Sequence, residues 1–330
     1  MKNVRWGIIG CGNVTEVKSG PGLQRARNSE LVAVMRRDGE LAQDFAQRHG
    51  VPKWYDNAKA LINDPEVNAV YVATPPSSHK EYTIQAVQAG KPAYVEKPMA
   101  LNYAQCREMI AVCEAVDVPL YVAYYRRALQ RFLKVKELVD SGTLGQIRFV
   151  SIMLYQPVRT EHRNSDNLPW RVRSEIAGGG IFVDLASHQL DFLDFLLGPI
   201  KHAQGFATNQ AGNYPAEDMV SASFVFQSGV QGTGNWCFNA FAEMDRTEII
   251  GDKGHLMYST FDDQPVVLET VEGKKEFKIG YPVHIQQPLI QTVVDDLLGE
   301  GKCPSTGESG ARTTWVMDQI LAGYKAQNDG

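Results

Sequence analysis

The chain has 330 residues, 44% of them hydrophobic and 22% charged, with a formal net charge of -5; that is the composition of a soluble globular protein, long enough for two domains of roughly 100–200 residues. A negative balance without any Lys/Arg block argues against nucleic acid as a main partner. No apolar run approaches the roughly 18 residues of a membrane span, and Val4 is reached without the apolar core of a signal peptide, so a cytoplasmic location is expected.

Val4 to Ile9 reads as an apolar strand, followed by Gly10-Cys11-Gly12-Asn13-Val14-Thr15. Glycines at this spacing let the backbone turn tightly and approach a pyrophosphate at a helix start, where free N–H groups favour anions. Thr15 stands where a third small residue usually falls. Ser19-Gly20-Pro21-Gly22 interrupts the first helix before Leu23 to Ala26. Glu30 to Met35 is the second strand, with Arg36-Arg37-Asp38 at its carboxyl end, about 20 residues past the glycines. An acid at that point accepts from a ribose 2′-hydroxyl and repels a 2′-phosphate. Here two arginines come first, which predicts NADP as the preferred cofactor, with NAD as the alternative. The other reading leaves both arginines solvated and turns Asp38 back to the ribose.

A helix over Glu40 to His49 closes at Gly50, Trp54-Tyr55 marks a short third strand, and Ala58 to Asn63 a further helix. Ala69 to Ala73 is a buried strand stopped by Thr74-Pro75-Pro76, since proline lacks the donor for another ladder bond. Ser77 or Ser78 can cap a helix running to about Ala89 and closed by Gly90. Ala93 to Val95 is the next strand, with Glu96-Lys97-Pro98 at its carboxyl end, the edge where open α/β sheets bind ligands. A lysine held there between a carboxylate and a proline suits chemistry better than a core; the alternative is a charged surface turn. Tyr103 to Ala115 and Leu120 to Ala123 complete a doubly wound, parallel Rossmann domain over residues 1–123.

From Tyr124 the pattern changes. Arg131 to Asp140 is helical, and eight strands follow: Ile147 to Tyr155, Ala203 to Thr208, Met219 to Phe226, Val230 to Trp236, Thr247 to Ile250, His255 to Ser259, Val266 to Thr270 and Glu276 to Ile279. Short turns between them predict an α+β domain over 124–330, with a large, mostly antiparallel open sheet covered by helices on one face. The polar stretch Pro157 to Asn167 reads as a mobile loop. Gly178-Gly179-Gly180 opens a helix to about Leu197, and on it Asp184, His188 and Asp191 share a face. Such a polar stripe on an apolar helix is costly without a purpose, which is either chemistry or a structural pairing of His188 with Asp191. No fourth ligand accompanies it, so no metal is expected. The five cysteines (Cys11, Cys106, Cys113, Cys237, Cys303) form no CxxC and suit a reducing compartment.

Glu96-Lys97-Pro98 after a Rossmann strand, together with the glycine triplet and its Asp184-His188-Asp191 helix, resembles the glucose–fructose oxidoreductase, inositol dehydrogenase and MocA (Gfo/Idh/MocA) family. The resemblance covers nearly the whole chain, from AVYVATPPSSH and AGKPAYVEKPMA to the helix from Glu308 to about Lys325. It implies a catalytic group of Lys97, Asp184 and His188, a cofactor in the N-terminal domain, and a homodimer or homotetramer through the open sheet. Tyr125-Arg126-Arg127-Ala128 departs from the NRRF-like run of many members, and Trp170-Arg171 is similar to a segment lining the family's substrate site. The substrate-binding candidates are accordingly Tyr125, Arg126, Trp170, Arg171, Asp184 and His188. The cofactor candidates are Gly10, Gly12, Asn13 and Val14, then Arg36 and Arg37, Thr74, Pro75 and His79, and Glu96 with Lys97.

The activity so implied is NAD(P)-dependent hydride transfer at a secondary alcohol or ketone of a sugar, cyclitol or related polyol. A histidine of ordinary pKa, about 6.5, suits proton removal from the hydroxyl, which makes His188 the acid/base candidate. Lys97 would stabilise charge on the oxygen, Glu96 would hold Lys97, and Asp184 would orient the substrate or the imidazole. Two alternatives stay open: an NAD-dependent glycosidase of the same family, and a silent dinucleotide-sensing regulator, which needs neither Lys97 nor His188.

Overall fold

The protein is described from a computed structural model over residues 2–163 and 167–328. Its short apolar runs in the first half alternate with helices, and the central runs are buried on both faces, as a parallel sheet requires, while the edge run at Lys53–Tyr55 leaves Trp54 42% exposed. In chain order they are β1 (Val4–Ile9), α1 (Asn13–Val17), α2 (Gly20–Arg25), β2 (Ser29–Met35), α3 (Gly39–His49), β3 (Lys53–Tyr55), α4 (Ala58–Asn63) and β4 (Ala69–Val72). There follow α5 (His79–Gln88), β5 (Ala93–Val95), α6 (Tyr103–Ala115) and β6 (Leu120–Val122). The strands pair in parallel in the order β3-β2-β1-β4-β5-β6, so β1 and β4 lie side by side at the reversal of strand order, where such sheets bind dinucleotides. Ser78 does not cap α5 with its side chain. Its hydroxyl donates instead to the Pro75 carbonyl at 3.1 Å, tightening the turn after β4.

The second half contains α7 (Gln130–Asp140), β7 (Ile147–Tyr155), α8 (Ser174–Ala177), α9 (Ile181–Leu197), β8 (Ile200–Thr208), β9 (Met219–Phe226), β10 (Gln231–Cys237) and β11 (Met244–Gly251). It continues with β12 (Gly254–Tyr258), β13 (Val266–Thr270), β14 (Gly273–Phe277), α10 (Gln287–Leu298) and α11 (Gly307–Asn328). The eight-stranded sheet runs β14-β13-β12-β11-β7-β10-β9-β8, and only β7 and β10 pair in parallel. One face packs on α9 through Phe182 and Trp236, 5.0 Å apart edge to face. The opposite face presents Phe149 and Phe206, 45% and 84% exposed. Three strands differ from the sequence reading by more than one residue. β8 and β11 begin earlier, and β14 spans Gly273–Phe277 rather than Glu276 to Ile279, because Gly273 at φ 115° turns the chain straight back onto β13. Within the stretch read as a mobile loop, Thr160–His162 forms a 3-10 turn whose buried His162 ring packs on Tyr214 at 5.3 Å; residues 164–166 lie outside the described ones.

Two compact units divide the chain: Met1–Leu129 with Pro282–Ala311, and Gln130–Tyr281 with Arg312–Gly330. The sequence reading places the boundary at Ala123 and assigns 124–330 to one domain, whereas the chain returns to the first unit. The reason is the apolar stripe of α10, where Leu289, Ile290, Val293 and Val294 are fully buried. The break in the first helix receives this stripe. Gly22 of α2 lies so close that a Cβ there would stand 2.8 Å from Ile290 Cδ1, and the Arg27 N–H donates to Gln291 at 2.7 Å. Among the described residues no helix is long and apolar enough to cross a membrane.

Candidate functional site

In the first unit the glycine loop turns from β1 into α1. Gly10 has φ 94°, a conformation side chains rarely adopt, and a Cβ there would meet Thr74 Cγ2 at 2.7 Å. The N–H groups of Gly10 and Cys11 donate to the Met35 carbonyl at 2.8 and 3.1 Å, tying the loop to the end of β2. Thr15, in the third small position, donates its hydroxyl to the Gly12 carbonyl at 2.7 Å. A Cβ on Gly12, by contrast, would stand 3.9 Å from the Gly10 carbonyl oxygen, an ordinary contact, so nothing among the described residues demands glycine there. Beside the loop the Thr74 hydroxyl is buried and has no hydrogen-bond partner among the described residues. An open backbone approach and an orphaned hydroxyl together fit a dinucleotide drawn over this loop.

At the end of β2 the carboxylate of Asp38 accepts from the Leu41 N–H at 3.2 Å and caps α3. Arg36 and Arg37 are exposed. Burial pushes the Cys11 thiol up to about 11 against the opposing charge of Arg36, which places Arg36 within electrostatic reach of the glycine loop.

After β5, Glu96 is buried, and its carboxylate accepts from the Tyr71 hydroxyl at 2.5 Å, Gln286 Nε2 at 2.7 Å and the main-chain N–H of Lys97 at 3.2 Å. Glu96 thus fixes the backbone from which Lys97 projects, and its buried oxygens are engaged within the protein rather than turned to a cofactor. His79 differs from its expected role as well. Its Nε2 lies 2.7 Å from the Thr74 carbonyl and its Nδ1 3.0 Å from that of Pro98, and the ring is 1% exposed. It couples the two loops and offers no ring nitrogen to a cofactor.

Tyr125, in the 3-10 turn Tyr125–Ala128, has the Arg126 guanidinium 5.0 Å from its ring centre. Burial pushes its phenol up, but the charges of Arg126, Lys18 and Lys97 outweigh it, and its pKa falls below the ordinary 10. The first unit therefore gathers Lys97, Tyr125 and Arg126 in one field, to which Lys18 at the helix break, unmarked by any motif, adds its charge, while Gln286 before α10 holds Glu96.

In the second unit α9 carries the polar face. Asp184, in its first turn, pairs with Arg171 Nε at 3.3 Å, and the Arg171 guanidinium lies 4.4 Å from the Trp170 ring centre, so Trp170, Arg171 and Asp184 form one group. His188, one turn on, is 3% exposed and meets the Phe261 ring edge to face at 6.0 Å. The turn bearing Phe261 is pinned by Asp245, which accepts from the N–H groups of Thr260, Phe261 and Asp262 at 3.0, 2.5 and 3.0 Å. Asp191 is fully buried and accepts from the Thr313 hydroxyl at 3.4 Å, while Asp194 forms a two-pronged pair with Arg312 at 2.7 and 2.8 Å. The lower acids of α9 therefore anchor it to α11, and the upper face holds Asp184 and His188. No group of three or more His, Cys, Asp and Glu among the described residues is arranged to hold a metal.

Known proteins share this organisation. The family model for oxidoreductases with an NAD-binding Rossmann fold matches residues 4–124, and the GFO/IDH/MocA C-terminal domain matches 132–257. An oxidoreductase from Formosa agariphila is 39% identical over 315 residues, 96% of this chain and 97% of its own length. The 1,5-anhydro-D-fructose reductase of Ensifer adhaerens is 28% identical over 99% of this chain and 97% of its own. The aldose-aldose oxidoreductase from Caulobacter crescentus, solved with glycerol, superposes with a TM-score of 0.86 at 22% identity over 98% of each chain. On this evidence of sequence and fold the chain belongs to the GFO/IDH/MocA family of NAD-binding oxidoreductases.

Proposed function

We propose that the protein catalyses reversible oxidation of a secondary alcohol on a sugar, cyclitol or related polyol, with NADP preferred over NAD. The observation that carries it is Lys97, set by buried Glu96 at the carboxyl edge of a dinucleotide-type sheet and within the charge field of Tyr125. Gly10, Gly12, Asn13, Val14, Thr74 and Pro75 would hold the dinucleotide, with Arg36 and Arg37 toward a 2′-phosphate. Bound there, the nicotinamide supplies or accepts the hydride. His188 takes the hydroxyl proton during oxidation and returns it during reduction. The ammonium of Lys97 stabilises negative charge on the reacting oxygen. Asp184, braced by Arg171, orients neighbouring hydroxyls, and Trp170, Tyr125 and Arg126 shape the binding of a polar ring. Relatives named for an anhydro-sugar and for aldoses support this substrate class.

The test is a turnover screen of sugars, cyclitols and keto-sugars with NADP(H) and NAD(H), followed by His188→Asn on the best substrate. If His188 is the base, kcat/KM for oxidation falls at low pH with an apparent pKa between about 6 and 8. His188→Asn should then abolish that limb and lower the rate roughly 10²–10⁴-fold. An unchanged acidic limb would move the base elsewhere.

Association of copies through the open face of the eight-stranded sheet belongs to the same reading. Phe206, Ser221, Asn235 and Met153 share one row across that face, and Phe206 is 84% exposed. Light scattering that returned a monomer mass would remove this part of the proposal.

A further inference from the structure

The helix that carries Asp184 and His188 begins without a capping side chain. Its N-cap is Gly180, which has none to offer, and an uncapped helix start leaves main-chain N–H groups unsatisfied. A carboxylate from elsewhere in the second unit takes the place. Glu217, in the connection between β8 and β9, accepts from the Gly180 N–H through Oε1 at 2.6 Å, and it is 1% exposed. The glycines make room for it. A Cβ on Gly180 would stand 2.5 Å from the Glu217 carbonyl oxygen and 3.2 Å from its Cδ, and one on Gly179 would stand 3.1 Å from Oε1. Close approach of Glu217 is thus one reason the triplet is glycine.

We propose that Glu217 is a positioning residue of the reaction: its buried carboxyl fixes the start of α9 and so the placement of Asp184 and His188. The inference rests on the roles given above to those two side chains. A carboxylate at the positive end of a helix is also favourable electrostatically, and an acceptor of this kind is worth most when shielded from water. Burial pushes its acid up to about 7, with Asp218 adding to the rise and the Gly180 N–H and the Lys325 ammonium opposing it. The phenols of Tyr214 and Tyr324 face the same group. Asp218 itself is engaged in its own loop, accepting from the N–H groups of Gln210 and Ala211 at 2.8 Å each, while Glu217 serves the helix.

Three variants of the full-length protein, Glu217→Ala, Glu217→Gln and His188→Asn, test this with the substrate and cofactor found by the screen. Glutamine keeps an acceptor for Gly180 and loses the charge. The expected result is that Glu217→Ala lowers kcat roughly tenfold or more, leaves the cofactor Kd within twofold, and speeds amide exchange in peptides covering residues 178–188. Glu217→Gln should restore kcat to within about threefold and restore most of the exchange protection, since a neutral acceptor replaces a charged one. A lowered Tm in both Glu217 variants with wild-type kcat would make the carboxyl merely structural and overturn the inference. If Glu217→Ala does not fold, a Glu217→Gln variant with wild-type exchange but kcat lowered more than tenfold overturns it equally. An inactive His188→Asn beside a fully active Glu217→Ala sinks this inference alone. A His188→Asn with wild-type turnover sinks the proposed chemistry and this inference with it.

Discussion

Cofactor choice turns on three consecutive side chains at the end of β2. An acid there can serve the ribose, and the Asp38 carboxylate also caps the first turn of α3, accepting from the Leu41 N–H through Oδ1. Ser, Thr, Asp and Asn before a helix are capping residues by habit, so this was readable from the sequence, with the helix only one residue further on. Arg36 and Arg37 stay exposed, and Arg36 reaches the glycine loop with its charge. Charge-assisted bonds from arginine to phosphate are the stronger kind, about 1.5–3 kcal/mol each. NADP(H) should therefore bind roughly tenfold or more tighter than NAD(H), and Arg36→Asp should erase or reverse that ratio. Calorimetric titration of both cofactors decides it, and equal affinities in the wild type would leave the arginines to solvent. Other residues were less legible. His79 sits in a motif yet has both ring nitrogens turned to carbonyls of the protein, and Glu217 belongs to no motif at all. Its role depends on a contact between residues 37 positions apart, which no local pattern carries.

At the level of elements, period and punctuation explain most of what was legible. β1, β4 and β5 fall where apolar runs and flanking glycines or prolines put them, α6 starts at its Asn102 cap, and α9 ends at Gly198 with φ 83°. The glycine-rich stretch from Gly10 to Gly22 was less transparent, because identical residues there do different work. A Cβ on Gly12 would make only an ordinary contact with the Gly10 carbonyl oxygen, whereas one on Gly20 would collide with the Thr15 carbonyl oxygen, an atom of the backbone that cannot swing aside. Gly20→Ala should therefore destabilise the protein by roughly 1–3 kcal/mol through enforced backbone movement. Gly12→Ala should cost about 1 kcal/mol or less, the scale of a poorer N-cap, while weakening cofactor binding far more than Gly20→Ala does. Chemical denaturation and cofactor titration of the two variants separate them. Similar losses of stability in both would mean that the loop, and not a ligand, requires glycine at position 12.

For the molecule as a whole, the question is what completes the first unit. The strands and helices up to Ala123 read as a finished Rossmann domain, which is why the sequence suggests a boundary there. The structure adds Pro282–Ala311, and the addition is substantial. Leu289, Ile290, Val293 and Val294 are fully buried, Gln286 donates to Glu96 behind Lys97, and Ser305 donates its hydroxyl to the Val122 carbonyl at 2.7 Å. Burying four such side chains contributes roughly 6–12 kcal/mol as an upper bound, against a typical total stability of about 5–15 kcal/mol. A unit deprived of that segment has little margin left. Residues 1–129 expressed alone should therefore show no cooperative urea transition and should bind a hydrophobic dye. Joining 1–129 to 282–311 through a flexible Gly/Ser segment should restore a single transition, with an m-value matching the larger buried surface. Circular dichroism across a urea series reads both. Cooperative unfolding of 1–129 by itself, with no gain on adding 282–311, would show that the C-terminal segment merely rests on a domain already complete.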